Sequence, residues 1–163
     1  MRVLVIDDDV HVRSGLRRLL AKKYHADVAE AGDGFIGVQY LLERPCDLIV
    51  LDLHMRIMNG MDTLAAIRRM PRHGSTPIIM LTGDSDQSVV AAAVALGVTD
   101  FLVKPVDATI LFERIGGALA RARERKGDLL EGEAQQDLPA SDPPQMRVSV
   151  KRALATYVKN RQH

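Results

Sequence analysis

The sequence predicts an α/β domain with a single doubly wound, five-stranded parallel sheet and helices on both faces. Short apolar runs alternate with longer segments of helical period, which is the pattern of a parallel sheet wrapped by helices. Apolar residues make up 47% of the 163 residues and charged residues 26%, with 22 basic and 21 acidic side chains. This is the composition of a soluble globular protein, and the length fits one domain with an appendage.

The strands and helices are predicted from this alternation, in chain order. The apolar runs predict strands at residues 2–6, 26–29, 48–51, 77–81 and 101–103. The segments of helical period predict helices at 11–23, 34–43, 60–70, 85–96 and 108–123. Leu111, Phe112, Ile115 and Leu119 share one face of the last helix, as a helix packed on a sheet requires. Gly32 and Gly34 lack the third glycine of a dinucleotide-binding fingerprint, so no Gly-rich phosphate loop is predicted.

Residues 124–145, which follow the predicted domain at 1–123, have the composition of a linker. They hold six acidic and two basic side chains, three of the seven prolines and few large apolar residues. Such a segment buries too little surface to offset its ordering entropy. We expect an acidic, proline-containing linker that starts as a frayed helix.

Residues 146–163 hold five basic side chains and no acidic one. Val150, Ala153, Leu154 and Tyr157 follow the i, i+3, i+4, i+7 spacing of a basic amphipathic helix. Since Leu154 and Tyr157 need burial, we expect this helix to dock on a protein surface. A disordered tail, nucleic-acid binding and an anionic membrane surface are the alternatives.

Cysteine usage and hydropathy indicate a reducing, aqueous compartment. Cys46 is the single cysteine, and the acidic run Asp7–Asp9 interrupts the amino terminus before a signal-peptide core is complete. The longest apolar stretch, 89–98, is shorter than the roughly 18 residues that cross a bilayer. We expect a cytoplasmic protein without a membrane span.

Polar side chains follow four of the predicted strands at the point where each strand ends. The first strand is followed by Asp7–Asp9 and the third by Asp52. The fourth is followed by Thr82 and the fifth by Lys104. Ligands of open α/β sheets bind outside the carboxyl ends of the strands, so we expect these side chains to converge at one edge.

The chemistry of this set suits a phosphorylated aspartate. Crowded carboxylates repel each other unless a cation lies among them, and Mg²⁺ commonly binds through one or two carboxylates plus a phosphate oxygen. Asp7 or Asp8 with Asp52 would supply the carboxylates. The remaining oxygens of a phosphoryl group would be neutralised by the metal, by Lys104 and by the Thr82 hydroxyl.

Each of these residues alone also has an ordinary structural explanation. The run Asp7–Asp9 suits a helix cap, and Asp52 suits a turn after a strand. Thr82 suits the start of a helix, and Lys104 lies where a strand runs into a loop before proline. These separate explanations do not account for the fact that each strand end supplies a different part of one phosphate site.

Residues 1 to about 121 resemble the receiver domain of two-component response regulators. The segments that carry the resemblance are VLVIDDD, LIVLDLHM with the following NGMDTL, PIIMLTGD and FLVKP. The resemblance implies a flavodoxin-like (CheY-like) fold. It also implies a phosphoacceptor signalling protein rather than an enzyme, limited to Mg²⁺-dependent self-phosphorylation from a donor and autodephosphorylation.

The resemblance also implies a role for individual residues at the acceptor and metal sites. Asp52 would accept a phosphoryl group from a histidine kinase or phosphotransfer protein in a reaction that needs Mg²⁺. Asp7 and Asp8 would hold the metal, with Asp52 and the main-chain carbonyl of His54 as the remaining protein ligands.

The switch residues follow from the same resemblance. Thr82 and Lys104 would each bind a phosphoryl oxygen. Phe101 lies where the family carries a rotating Tyr or Phe, and because phenylalanine has no hydroxyl, packing alone must report the switch. His54 and Asp84 occupy the two positions that tend to set the phosphate lifetime, with a plain surface role as the alternative.

One departure from the family pattern lies in the loop after Asp52. The family usually has Met-Pro there, whereas Met55 is followed by Arg56, so this loop loses a fixed φ angle and gains a charge near the site. Gly83, the residue after Thr82, is as small as the family requires.

A haloacid-dehalogenase-like phosphatase is the alternative enzyme class, since it also uses a strand-end aspartate, Mg²⁺, Thr and Lys. Its nucleophile lies on the first strand, which would be Asp7. It also needs an acidic pair after the lysine, where this chain has only Asp107. We therefore expect phosphate on Asp52 rather than on Asp7.

The output is predicted from the short C-terminal segment. Residues 146–163 are too few for a helix-turn-helix core, so we expect a stand-alone receiver in a phosphorelay that switches the binding of a downstream protein. We expect the face of the fourth helix, fifth strand and fifth helix, with Ile110 exposed, to contact that partner or a second copy. A DNA-binding transcriptional regulator with a minimal or truncated output region is the alternative that we do not favour.

Overall fold

The computed structural model describes residues 1–83 and 87–132. Within these residues strands and helices alternate strictly. The elements are β1 (Arg2–Ile6), α1 (Val10–Tyr24), β2 (Asp27–Ala31), α2 (Gly34–Glu43), β3 (Leu48–Asp52), α3 (Gly60–Arg68), β4 (Ile78–Thr82), α4 (Gln87–Ala95), β5 (Asp100–Val103) and α5 (Ala108–Gly132).

The strands form one parallel sheet in the order β2-β1-β3-β4-β5. Successive side chains of a strand point to opposite faces, so each strand contributes to two cores. On one face α2, α3 and α4 cover residues such as Leu4 and Ile49. On the other face α1 and α5 cover residues such as Val5 and Val50. The predicted doubly wound, five-stranded fold is confirmed.

Polar caps start three helices just beyond the carboxyl ends of the strands. Asp9 precedes α1 and Asp33 precedes α2, and each side chain accepts a backbone N–H of the helix. Asn59 does the same for α3. These bonds satisfy donors that have no partner inside the helix, and they fix where the chain leaves the carboxyl edge of the sheet.

Gly60, the first residue of α3, allows this helix to start directly against the end of β3. A Cβ atom at this position would lie 2.7 Å from Leu53 Cα and would collide with the carbonyl oxygen of Asp52. The Gly60 N–H donates to the Leu53 carbonyl at 2.8 Å, and the Leu53 N–H donates to Leu81 at 2.8 Å. The backbone around Asp52 is therefore held from both sides.

The boundaries of two elements differ most from the sequence-based expectation. Strand β2 ends at Ala31 rather than at residue 29, because it pairs with β1 as far as Ile6. Helix α5 continues to Gly132, beyond the predicted end at residue 123, so the segment from 124 starts as a helix, as expected for the start of the linker. Residues 124–132 contain no proline and are rich in Glu, Arg, Lys and Leu, which favour helix.

Some sequence-based predictions lie outside the described residues. They concern Asp84, the first residues of the predicted fourth helix, the rest of the linker, and the stripe at 150–157 of the predicted C-terminal helix. Among the described residues, no helix is both long and apolar enough to cross a membrane.

Candidate functional site

Four of the predicted site residues converge at the carboxyl edge of the sheet. Asp7 follows β1, Asp52 ends β3, Thr82 ends β4 and Lys104 follows β5. Asp7, Asp52 and Thr82 are almost completely buried. The ammonium Nζ of Lys104 lies 2.8 Å from Asp7 Oδ2 and 2.8 Å from Asp52 Oδ1. One cation therefore bridges two buried carboxylates that come from neighbouring strands.

Asp8 completes a cluster of three carboxylates. Asp7, Asp8 and Asp52 each offer one oxygen, and these atoms all lie within 4.8 Å of one another. Among the residues that the structure describes, two side-chain cations contact the cluster: Lys104 pairs with Asp7 and Asp52, and Arg56 Nε lies 3.4 Å from Asp8 Oδ2. The carboxylates thus outnumber these cations, and an all-oxygen donor set with excess negative charge suits a hard cation such as Mg²⁺.

Burial and the neighbouring charges act on the pKa of Asp52 in opposite directions. Burial raises this pKa above its ordinary value of 3.8, and the carboxylates of Asp7 and Asp8 raise it further, while Lys104 opposes the rise. For Lys104 itself burial lowers the pKa, but the bonds to Asp52 and Asp7 outweigh that effect, so its pKa lies above 10.5. Lys104 is therefore an ammonium group at neutral pH.

The three aspartates after β1 have different local roles. Asp9 is the cap of α1: its carboxylate accepts the His11 N–H at 2.8 Å, and this bond lowers its pKa. Asp7 Oδ1 accepts the Asp9 N–H at 2.8 Å, which orients Asp7 toward the cluster. Helix capping thus explains Asp9, but it does not explain why Asp7 and Asp8 face Asp52.

Arg13 is a contributor that the sequence did not reveal. Its guanidinium donates to the main-chain carbonyl of Asp7 at 2.7 Å, and its Nε lies 3.6 Å from Glu30 on β2. Arg13 therefore ties the chain after β1 to the neighbouring strand. Its position one turn into α1 is the only sequence signal for this contact, and an arginine on a helix surface is usually exposed.

The switch residues lie on the β4 and β5 side of the site. Thr82 lies next to Leu81, which pairs with Asp52, and the Lys104 N–H donates to the Thr82 carbonyl at 2.7 Å. Phe101 pairs with Met80 and is half-buried against the core that α2, α3 and α4 cover. The Lys104–Pro105 peptide bond is cis. His54 is exposed in the loop after β3.

The family model of the response regulator receiver domain matches residues 3–116. The chain belongs to this family. Receiver domains are the phosphoacceptor signalling domains of two-component systems and generally bind Mg²⁺ through acidic residues, which is compatible with the cluster of Asp7, Asp8 and Asp52. The family match leaves the phosphatase alternative without support.

Both chemotaxis proteins and transcriptional regulators are among the relatives of this receiver domain. The chemotaxis protein CheY of Pseudomonas aeruginosa is 32% identical over 115 residues, which cover 71% of this chain and 93% of that protein. The transcriptional regulatory protein AfsQ1 of Streptomyces coelicolor is 36% identical over 126 residues, which cover 77% of this chain and 54% of that protein. The chain thus spans about half of that transcriptional relative.

Solved receiver structures have the same fold. Vibrio cholerae chemotaxis protein CheY4 matches with a TM-score of 0.69 and 27% identity, covering 72% of this receiver chain and 97% of that one. A response regulator receiver protein from Pseudomonas putida matches with a TM-score of 0.66 and 33% identity. The match covers 71% of this chain and 95% of that chain.

Proposed function

We propose that this receiver domain accepts a phosphoryl group on Asp52 from a sensor histidine kinase or a histidine phosphotransfer protein, with Mg²⁺ as cofactor. The observation that carries the proposal is the position of the Asp52 carboxylate. One of its oxygens lies within 4.8 Å of oxygens of Asp7 and Asp8, and Asp52 Oδ1 lies 2.8 Å from the Lys104 ammonium. Asp52 alone among the three carboxylates ends the central strand of the sheet.

The metal would be held by Asp7, Asp8, Asp52 and the main-chain carbonyl of His54. When bound, Mg²⁺ supplies positive charge that neutralises the oxygens of the transferring phosphoryl group. In the transfer, an oxygen of Asp52 forms a bond to phosphorus while the bond between phosphorus and the donor histidine nitrogen breaks. The phosphoryl group leaves the histidine and forms an acyl phosphate on Asp52.

Phosphorylation would be reported by Lys104, Thr82 and Phe101. Lys104 can stay paired with Asp7 while it binds a phosphoryl oxygen, and the Thr82 hydroxyl binds another oxygen. Because the Lys104 N–H is bonded to the Thr82 carbonyl, movement of one is coupled to the other. Phe101, half-buried beside Met80 and without a hydroxyl, responds through packing alone.

A direct test uses a small phosphodonor with the wild-type chain. We expect one phosphoryl group per chain in the presence of Mg²⁺, measured by intact mass, and none when the metal is chelated. Equal uptake with and without the metal would contradict the role of the carboxylate cluster. His54, and Asp84 outside the described residues, are proposed to modulate the lifetime of the phosphoryl group.

We infer that the output surface is the face formed by α4, β5 and α5. Each of these elements carries an exposed apolar side chain: Val94 on α4 is 59% exposed, Val103 on β5 57% and Ile110 on α5 46%. Exposed apolar side chains suit a contact surface. The occupant would be a downstream protein or a second copy of the receiver.

Replacing Ile110 with glutamate is expected to weaken phosphorylation-dependent association, because a carboxylate would have to lose its hydration at the contact. Sedimentation of the phosphorylated chain, alone and with a candidate target, measures the effect. Ile36→Glu is a matched control, since Ile36 is 47% exposed on α2, away from this face. Unchanged association of Ile110→Glu, with phosphate uptake intact, would contradict the assignment.

We propose a stand-alone receiver in a cytoplasmic phosphorelay as the biological context. Its support is the match over 93% of the length of the Pseudomonas chemotaxis protein. The match to a transcriptional regulator makes DNA binding the second candidate. Binding to duplex DNA with a steep dependence on salt would favour that candidate, because phosphate contacts release counterions.

A further inference from the structure

We propose that Arg56 competes with the divalent cation for Asp8 and thereby weakens metal binding by this receiver domain. The inference rests on the proposed metal site. Arg56 Nε lies 3.4 Å from Asp8 Oδ2, whereas the ion pairs of Lys104 are with Asp7 and Asp52. Asp8 is also the most exposed carboxylate of the cluster, with 28% of its side chain accessible. It is therefore the carboxylate that a surface cation reaches most easily.

The loop after β3 holds Arg56 at the edge of the site. Met55 and Met58 are buried on either side of it, at 6% and 3% exposure. With both methionines anchored in the core, Arg56 and Ile57 are left at the surface, where they line a cleft of about 280 Å³ together with Asp8, Gly32 and Asp33. Because the loop is anchored, the backbone of Arg56 is held at the edge of the site, and its side chain remains tethered there when the ion pair opens.

A metal ion that binds Asp8 displaces the Arg56 guanidinium from this carboxylate. The displaced guanidinium remains near the metal ion. The two positive charges repel each other, so metal binding costs more with Arg56 than with a neutral residue. The Arg56 side chain is 89% exposed, so solvent screens most of this repulsion. We expect an effect of about two- to fivefold on the metal dissociation constant, as for exposed charge pairs.

Calorimetric titration with Mg²⁺, without any phosphodonor, tests the proposal on the full chain. Arg56→Gln is expected to bind Mg²⁺ about two- to fivefold more tightly than wild type. Arg56→Lys keeps the charge and should stay close to wild type. The ratio of the wild-type and Arg56→Gln constants should fall toward one at about 0.5 M salt, where the Debye length is only a few ångströms.

Arg114→Gln is the control for a general change of net charge. Arg114 pairs with Asp100 at 3.3 Å. Asp100 is the first residue of β5, so it lies at the amino end of this strand, whereas the carboxylate cluster lies at the carboxyl ends of the strands. Its replacement should leave the Mg²⁺ affinity unchanged. Equal tightening in Arg114→Gln and Arg56→Gln would overturn the proposal, because net charge alone would then explain both.

Two further outcomes separate this inference from the proposed function. If wild type and Arg56→Gln bind Mg²⁺ with equal affinity, the role of Arg56 is overturned and the metal site stands. If neither chain binds Mg²⁺ while both are folded by circular dichroism, the metal site and the inference fall together.

Discussion

Replacement of Asp52 by asparagine is expected to abolish phosphoryl uptake and, in the absence of metal, to raise the free energy of unfolding at neutral pH. Asparagine has nearly the same shape but cannot form the acyl phosphate. It also removes one of three crowded negative charges, and the raised pKa of Asp52 shows that the folded chain disfavours its charged form. Intact-mass analysis measures the first effect and urea unfolding the second.

The stability effect of Asp52→Asn should depend on pH in a defined direction. A raised pKa means that stability is fully present below the unfolded-state value near 3.8 and is lost as pH rises through the folded-state value. The advantage of the variant over wild type should therefore be absent in acid and grow toward neutral pH. An advantage that is largest in acid would contradict this electrostatic account.

Asp27→Asn is the matched control for both effects. Asp27 begins β2 and is exposed, so the same chemical change there removes no crowded charge. It should take up phosphate like wild type and show little change in stability. Wild-type uptake by Asp52→Asn would contradict the assignment of the acceptor.

Replacement of Lys104 by methionine is expected to lower the free energy of unfolding by about 2 kcal/mol without metal, because two buried carboxylates then lose their common cation. The expected loss of stability is smaller than for a fully buried ion pair, because the Lys104 side chain is 26% exposed. Urea unfolding at neutral pH measures the loss. Mg²⁺ should restore part of it, because a cation bound to the carboxylates stabilises only the folded state.

Lys104→Arg and the double variant Lys104→Met, Asp52→Asn are the controls for the lysine. The arginine keeps the charge and should retain most of the stability. The double variant has one negative charge fewer and should be more stable than Lys104→Met alone. A Lys104→Met chain as stable as wild type would show that the ion pairs contribute nothing to the fold.

The sequence predicts the fold well because its signals are local and repeated. Apolar runs such as VLVI and IIML are buried on both faces of the sheet, so they stand out from the polar segments around them. Asp52, Thr82 and Lys104 could be placed together because the carboxyl ends of parallel strands share one edge.

The features that the sequence does not predict depend on contacts between elements, which no single segment reveals. Glu30 and Ala31 belong to β2 only because β1 extends beside them, and neither residue marks a strand by itself. The bond from Arg13 to the Asp7 carbonyl depends on how α1 packs on the sheet. The end of α5 at Gly132 has no local mark, because the prolines that indicate the linker lie further along, from residue 139.

The position of the phosphoryl group tests the central claim most directly. The wild-type chain is phosphorylated with a small phosphodonor and Mg²⁺, the acyl phosphate is reduced with borohydride to the corresponding alcohol, and the altered residue is located by peptide mass spectrometry. We predict a single modified residue, Asp52, and none in the sample without donor. Modification of Asp7 or Asp8 with Asp52 unchanged would contradict the account.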